Sequence, residues 1–405
     1  MDSAIIITFC VLLLLAYLFD YSSARTKIPS VILLLLLGWG VRQVTVFFGI
    51  KIPDFSTVLP VLGTIGLILI VLEGSLELEL NKSKVGLIKK SLNGAALSML
   101  ASAFLLAFLF RYFEGYSFKD SLTNAIPFCI ISSAIAIPSV RALKSSYKEF
   151  VIYESSLSDI LGVLFFNFVA LNTIIDIHSF KHFGIQLVII SIVSFVATIG
   201  LSYLLSKIEH HIKFIPIILL VILIYAVSKI YHLPALIFIL VFGLFIGNLD
   251  ELRQWKWIRA FHPEGLNKEV LKFKELTIEA AFLVRALFFL LFGYLLETAE
   301  ILNTDSLLWS FVIVVIIFTF RVLQLKLSGL PLNPLLFIAP RGLITILLFL
   351  SIVPTQQILL VNNSLIIQVI ILTTLIMMFG LMTTARMEKA KVPPPILREN
   401  DPEKE

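Results

Sequence analysis

Charge is scarce in this chain: Asp, Glu, Lys and Arg make up only 15% of its 405 residues, against about a quarter in ordinary soluble domains. Cysteine is scarcer still. Cys10 and Cys129 fall in separate apolar runs and form no recognisable disulfide or metal pattern. There is no His-Glu-x-x-His stretch, no histidine pair inside an apolar run and no nucleophile motif, which argues against a membrane enzyme. The six histidines sit in loops or at the ends of runs, where a solvated surface role is the expectation. No resident cofactor is expected, and nothing points to nucleic acid.

What the chain has in abundance is apolar surface, at 59% of residues. Thirteen runs are each close to the ~20 residues that span a bilayer. They lie near 4–19, 29–47, 56–76, 91–110, 121–140, 151–175, 184–206, 212–230, 233–249, 275–296, 306–325, 331–353 and 364–385. The first lacks a basic leader and a small-residue cleavage site, so it is expected to be a retained helix. An odd number of spans puts the termini on opposite faces. With the N-terminus outside, 23 Lys and Arg fall on the cytoplasmic side and 6 outside, so the net charge of +5 is an orientation signal. The expectation is a multi-pass protein of the plasma membrane (bacterial inner membrane), with lipid as its main partner and a short cytoplasmic tail over 387–405.

Two distant segments align without a gap. Lys27-Ile28-Pro29-Ser30 leads to Gly38 and Gly40, and His232-Leu233-Pro234-Ala235 leads to Gly243 and Gly247. Looser pairs join Leu72-Glu73-Gly74 to Leu291-Phe292-Gly293, and Ile135-Ala136-Ile137-Pro138 to Phe337-Ile338-Ala339-Pro340. Each pair is seven spans apart, an odd number, so the halves are inserted upside down relative to one another. Inverted repeats are a transporter signature, with the ion site near the midplane where interrupted helices meet. One transmembrane domain over 1–386 is expected, with repeat one at about 1–176, a linking helix over 184–206 and repeat two at about 212–386. Pro138 and Pro340 would each free backbone carbonyls within a span, or simply kink it.

Two acids, Glu154 and Asp159, open the otherwise apolar run over 151–175. A carboxylate at membrane depth is expensive and usually marks an ion or proton path. Five residues on a helix is about 140° of rotation, so the two acids cannot face one ion together. Ser155 lies four residues before Asp159 and Ser158 is its neighbour, which gives Asp159 nearby hydroxyls. Three cations remain inside spans, Arg285, Arg321 and Arg341. Arg321 is the choice to neutralise Glu154, which leaves Asp159 as the titrating group and the site of a transported cation. Arg341 follows Pro340 and would place charge beside a helix crossing. Glu73 could line a funnel or pair with Arg285, and Arg285 could equally snorkel to the interface.

Tyr153-Glu154-Ser155-Ser156-Leu157-Ser158-Asp159 resembles the sixth-helix signature of the monovalent cation/proton antiporters. Ala339-Pro340-Arg341-Gly342-Leu343 is similar to that family's Arg-Gly motif on its second interrupted helix, Arg321 to the arginine that partners the sixth-helix Glu, and Ser132-Ser133-Ala134 to the polar stretch at the first unwound crossing. The resemblance implies an all-α membrane protein of about 13 transmembrane helices, the inverted-repeat antiporter fold with two interrupted, crossing helices. It also implies a homodimer, with a dimerisation domain beside a mobile six-helix core. The chain departs from the family at Ser158, where Asn or Asp is usual, and at Ala136-Ile137-Pro138, where many relatives have Thr-Asp-Pro.

The function expected from these features is secondary active exchange of a monovalent cation, Na+ or K+, for protons by alternating access, and electroneutral because one acid titrates. The alternatives are a proton-uncoupled cation channel and an organic-anion symporter on a related inverted-repeat fold.

Overall fold

The computed structural model describes residues 2–26, 28–50, 57–79, 82–140, 143–172, 176–207, 214–249 and 263–390. Among them the regular structure is entirely helical. In chain order the helices are α1 (Asp2–Thr26), α2 (Ser30–Phe47), α3 (Val58–Glu77), α4 (Val85–Glu114), α5 (Phe118–Cys129), α6 (Ser133–Ser139), α7 (Ser145–Leu171) and α8 (Ile177–Lys207). There follow α9 (Phe214–Ile230), α10 (Leu236–Gly247), α11 (Pro263–Leu295), α12 (Thr298–Ile301), α13 (Thr304–Leu327), α14 (Leu343–Leu350) and α15 (Asn363–Ala390). Most of the tail expected over 387–405, and several of the basic residues used for orientation, lie outside the described residues.

Among the described residues ten segments are long and apolar enough to cross a membrane. The three remaining runs are accounted for by the shorter apolar helices α9 and α10 and by the broken stretch around α14. Many large apolar side chains face outward, among them Ile185, Val188, Ile192 and Phe195 of α8. In water such a surface would drive aggregation; in hydrocarbon it is the required one. A few helix ends carry the caps of ordinary water-exposed termini. Ser117 Oγ accepts from Asp120 N–H at 3.0 Å to start α5, and Gly115, at φ 73°, closes α4.

Contacts sort the helices into two groups. The α2, α3, α8, α9, α10 and α11 helices pack chiefly on one another, while α4 to α7 pack with α13 to α15. The first group is built on a reciprocal contact that follows the internal repeat. α2 packs on α11 and α10 on α3, so repeat partners exchange roles. A Cβ at Gly38 would collide with Leu290 O and lie 2.8 Å from Tyr294 N. Its repeat counterpart Gly243 touches Ser75, with a Cβ there only 2.7 Å from Ser75 Cβ. In lipid, where helix association relies on close van der Waals approach, a missing side chain at the crossing is what allows it.

Polar staples sit at the ends. Asn124 donates to Gln356 O at 2.7 Å, and Gln356 donates to Ala170 O at 3.1 Å, which joins α5, the 354–356 turn and α7. At the opposite face Lys84 reaches Glu79 (2.6 Å) and Glu149 (3.2 Å), and its hydrogen bond to Glu79 holds its ammonium above the usual lysine value. Gly38→Ala and Gly243→Ala are expected to lower stability by about 1 to 3 kcal/mol through overpacking. Gly200→Ala, where a Cβ meets nothing within 4 Å, should be neutral or slightly stabilising. Thermal unfolding of the detergent-solubilised variants measures the difference.

Candidate ion-binding site

Two spans break at the same depth. Between α5 and α6 the chain unwinds over Ile130–Ser132, and before α14 it runs extended through Ile338–Gly342. The breaks cross and are joined backbone to backbone, Ser132 N–H donating to Pro340 O at 2.9 Å. Gly342 makes the approach possible, since a Cβ there would sit 2.5 Å from Ile135 Cδ1 and 3.1 Å from Ser132 Oγ. Pro340 lies in the unwound stretch as expected, but Pro138 does not. It falls near the end of α6, and Ala136-Ile137-Pro138 is helical rather than part of the crossing. The break lies upstream, over Ile130–Ser132.

A broken helix leaves carbonyls without donors, and two buried arginines supply them. Arg341 donates from Nε to Phe128 O (2.6 Å), at the end of α5, and from Nη1 to Ala339 O (3.0 Å). Arg321, on α13, donates from Nε and Nη2 to Leu335 O (3.1 and 3.0 Å) and from Nη2 to Ile338 O (3.3 Å). Its Nη1 is paired with Glu154 and also reaches Gln324 Oε1 at 3.2 Å. The expected Glu154–Arg321 pair is therefore present, with both side chains 1% exposed. A cation at the carbonyl end of each interrupted segment offsets the partial charge there.

Asp159 faces the crossing. Its Oδ2 accepts from both the backbone N–H of Ser133 (3.3 Å) and the Ser133 hydroxyl, so the first turn of α6 is held by this carboxylate. Oδ1 is buried with no partner, and among the described residues no basic group bridges to Asp159. The neighbouring hydroxyls are arranged differently from the sequence expectation. Ser155 donates to Val151 O in its own helix (2.8 Å), and Ser158 Oγ accepts from Ile131 N–H (2.9 Å), fixing the unwound strand. The hydroxyl that reaches Asp159 is Ser133, expected only at the crossing. Ser132 Oγ, Ser156 Oγ and Thr345 Oγ1 are also buried without partners. Sequence reasoning singled out neither Ser156 nor Thr345; small hydroxyls in apolar helices carry no signal of their own.

The chain's identity follows from this geometry and from comparison. Over residues 10–389 it matches the family described as sodium/hydrogen exchanger, transmembrane. The chain belongs to that family. This exchanger has the fold of the sodium proton antiporter MjNhaP1 from Methanocaldococcus jannaschii, whose structure at pH 8 superposes with a TM-score of 0.66 at 18% identity, covering 95% of this chain and 100% of that one. An electron-microscopy structure of the same antiporter gives 0.65 at 18% identity, covering 100% of both chains. No curated protein sequence matches significantly. Membership makes the protein a multi-pass integral membrane transporter of the sodium/proton exchange class.

Glu73 and Arg285 lie on α3 and α11, with Nη1 to Oε2 at 3.9 Å. Arg285 is 4% exposed, so it does not snorkel to the interface; it pairs inside the exchanger, as the second sequence reading allowed. Among the described residues no group of three or more His, Cys, Asp or Glu gathers to hold a resident metal.

Arg321→Met is expected to cost about 3 to 5 kcal/mol, because it leaves Glu154 buried without counter-charge. Glu154→Gln, which keeps an oxygen for the guanidinium, should cost less. The Glu154→Leu/Arg321→Met double variant should recover part of the loss but not all, since Ile338 O loses its Arg321 donor and Leu335 O keeps only the Ile338 N–H. Strict additivity in this cycle, read by thermal unfolding, would mean the pair is not coupled.

Proposed function

We propose that the protein exchanges Na+ or K+ for protons, one for one, by alternating access around Asp159. The observation that carries this reading is a buried carboxylate with one oxygen free of any partner and no arginine, while the neighbouring acid takes the arginine. A bare carboxylate at this depth is costly, and either a proton or a monovalent cation neutralises it. The two therefore compete for one group, which enforces exchange. Ser133 suits such competition: its hydroxyl donates to the carboxylate when no ion is present and can turn its lone pairs toward a cation. The orphan hydroxyl of Ser132, next to the crossing, is a further candidate oxygen.

One titrating acid makes each half-cycle electrically neutral. The grouping of α4 to α7 with α13 to α15 supports a six-span core that moves against the other helices. We further infer a homodimer in a bacterial inner membrane, N-terminus outside and C-terminus cytoplasmic, from the family resemblance and the distribution of Lys and Arg. The MjNhaP1 protein is named for sodium; K+ is retained because the hydroxyl-rich crossing fixes neither ion.

Asp159→Asn reconstituted in proteoliposomes should lose cation-driven proton movement entirely; persisting turnover makes the acid structural. In the wild-type protein an imposed membrane potential should leave the rate unchanged, because a net charge moved would couple at about 2.3 kcal/mol per 100 mV. A rate that follows voltage rejects the one-acid scheme.

A further inference from the structure

Where α7 ends, beside α8 and the turn that joins α9 to α10, lies a cavity of about 210 Å3. Its polar lining is Asn167, Asn172, His182, Gln186 and His232. It is separate from the ion site, since Asn167 lies eight residues beyond Asp159, about 12 Å of helix rise. His232 is the one non-glycine residue among the described ones with a positive φ, 55°. It follows the end of α9, its N–H on Lys229 O at 3.0 Å, with Leu233 N–H returning to Ser228 O at 2.9 Å. Glycine is the usual occupant of such a left-handed position after a helix. Here an imidazole stands at the cavity instead, and a second imidazole, from His182 of α8, lines the same cavity.

The lining decides the ligand class. Among the described residues it is lined by no lysine or arginine, which disfavours phosphate and other anions, and by no carboxylate, which disfavours Mg2+ and Ca2+. Two imidazole nitrogens with amide oxygens nearby suit a borderline divalent cation. Asn172 commits its amide nitrogen to Phe168 O at 2.7 Å, leaving its oxygen as an acceptor. We propose that this cavity binds a divalent ion of the Zn2+ and Ni2+ class through His182 and His232, with carboxamide oxygens and water completing the shell. Two strong ligands make an exchangeable site rather than a resident one. The two histidines belong to the α8 to α10 side and Asn172 to the end of α7, which carries Asp159, so an ion that takes the Asn172 oxygen together with both imidazoles fastens the two helix groups together and slows exchange. That consequence rests on the alternating-access reading; the binding itself does not.

Calorimetric titration of tag-free protein in detergent with Ni2+ tests the site directly. One ion per chain is expected, unaffected by excess Mg2+, with affinity at least about tenfold weaker in His182→Ala and in His232→Ala. Unchanged affinity in the double variant, or displacement by Mg2+, overturns the assignment. In proteoliposomes Ni2+ should slow the wild type and leave the double variant at its metal-free rate, which should match the wild type and so reports correct folding. Binding through both histidines with no slowing overturns the fastening, and is distinct from a failure of the Asp159 exchange itself.

Discussion

Hydrocarbon offers no hydrogen bonds, so every carbonyl that an interrupted helix releases must find a donor in the protein. That requirement organises the centre of this molecule. Arg341 answers it for the end of α5 and Arg321 for the turn at Leu335 to Ile338. Once Arg321 is buried it needs an anion, and Glu154 is there to meet it. Three of the conspicuous charges are thereby consumed in holding the crossing open, and the carboxylate of Asp159 remains without a cation. On the proposed function, structure and transport chemistry are divided between adjacent turns of one helix.

The reciprocal glycine contacts give that centre a firm surround. α2 meets α11 through Gly38 and α10 meets α3 through Gly243, so the same close approach is made twice by equivalent parts. Between the two helix groups the contacts are fewer, chiefly from α3 to α7, α6 and α14. A well-packed frame beside a core joined to it by a narrower seam is the arrangement that relative motion requires.

Much of this was legible before any coordinates. Charges in apolar runs are conspicuous, so Glu154, Asp159, Arg321 and Arg341 identify themselves, and helical rotation alone separates the jobs of the two acids. The repeat was readable because glycine and proline are rare enough in such runs for their spacing to carry information. The sequence misled on Pro138 and Ser155 for related reasons. A proline can sit in the last turns of a short helix without marking its break, and a hydroxyl on the right face of a helix can turn back to its own carbonyl. Ser133 as the partner of Asp159 depends on where a different span unwinds, a property of the assembled core and not of any local pattern.

The Glu154–Arg321 pair also sets an order of events at the ribosome. The partners are 167 residues apart, so at roughly 5 to 20 residues per second the acid waits on the order of 8 to 30 seconds for its arginine to be synthesised. During that interval the nascent first half presents an unmatched acid to the insertion machinery. A chain that terminates before residue 321 never gains the arginine, and its Glu154 is left without the counter-charge that the complete chain supplies.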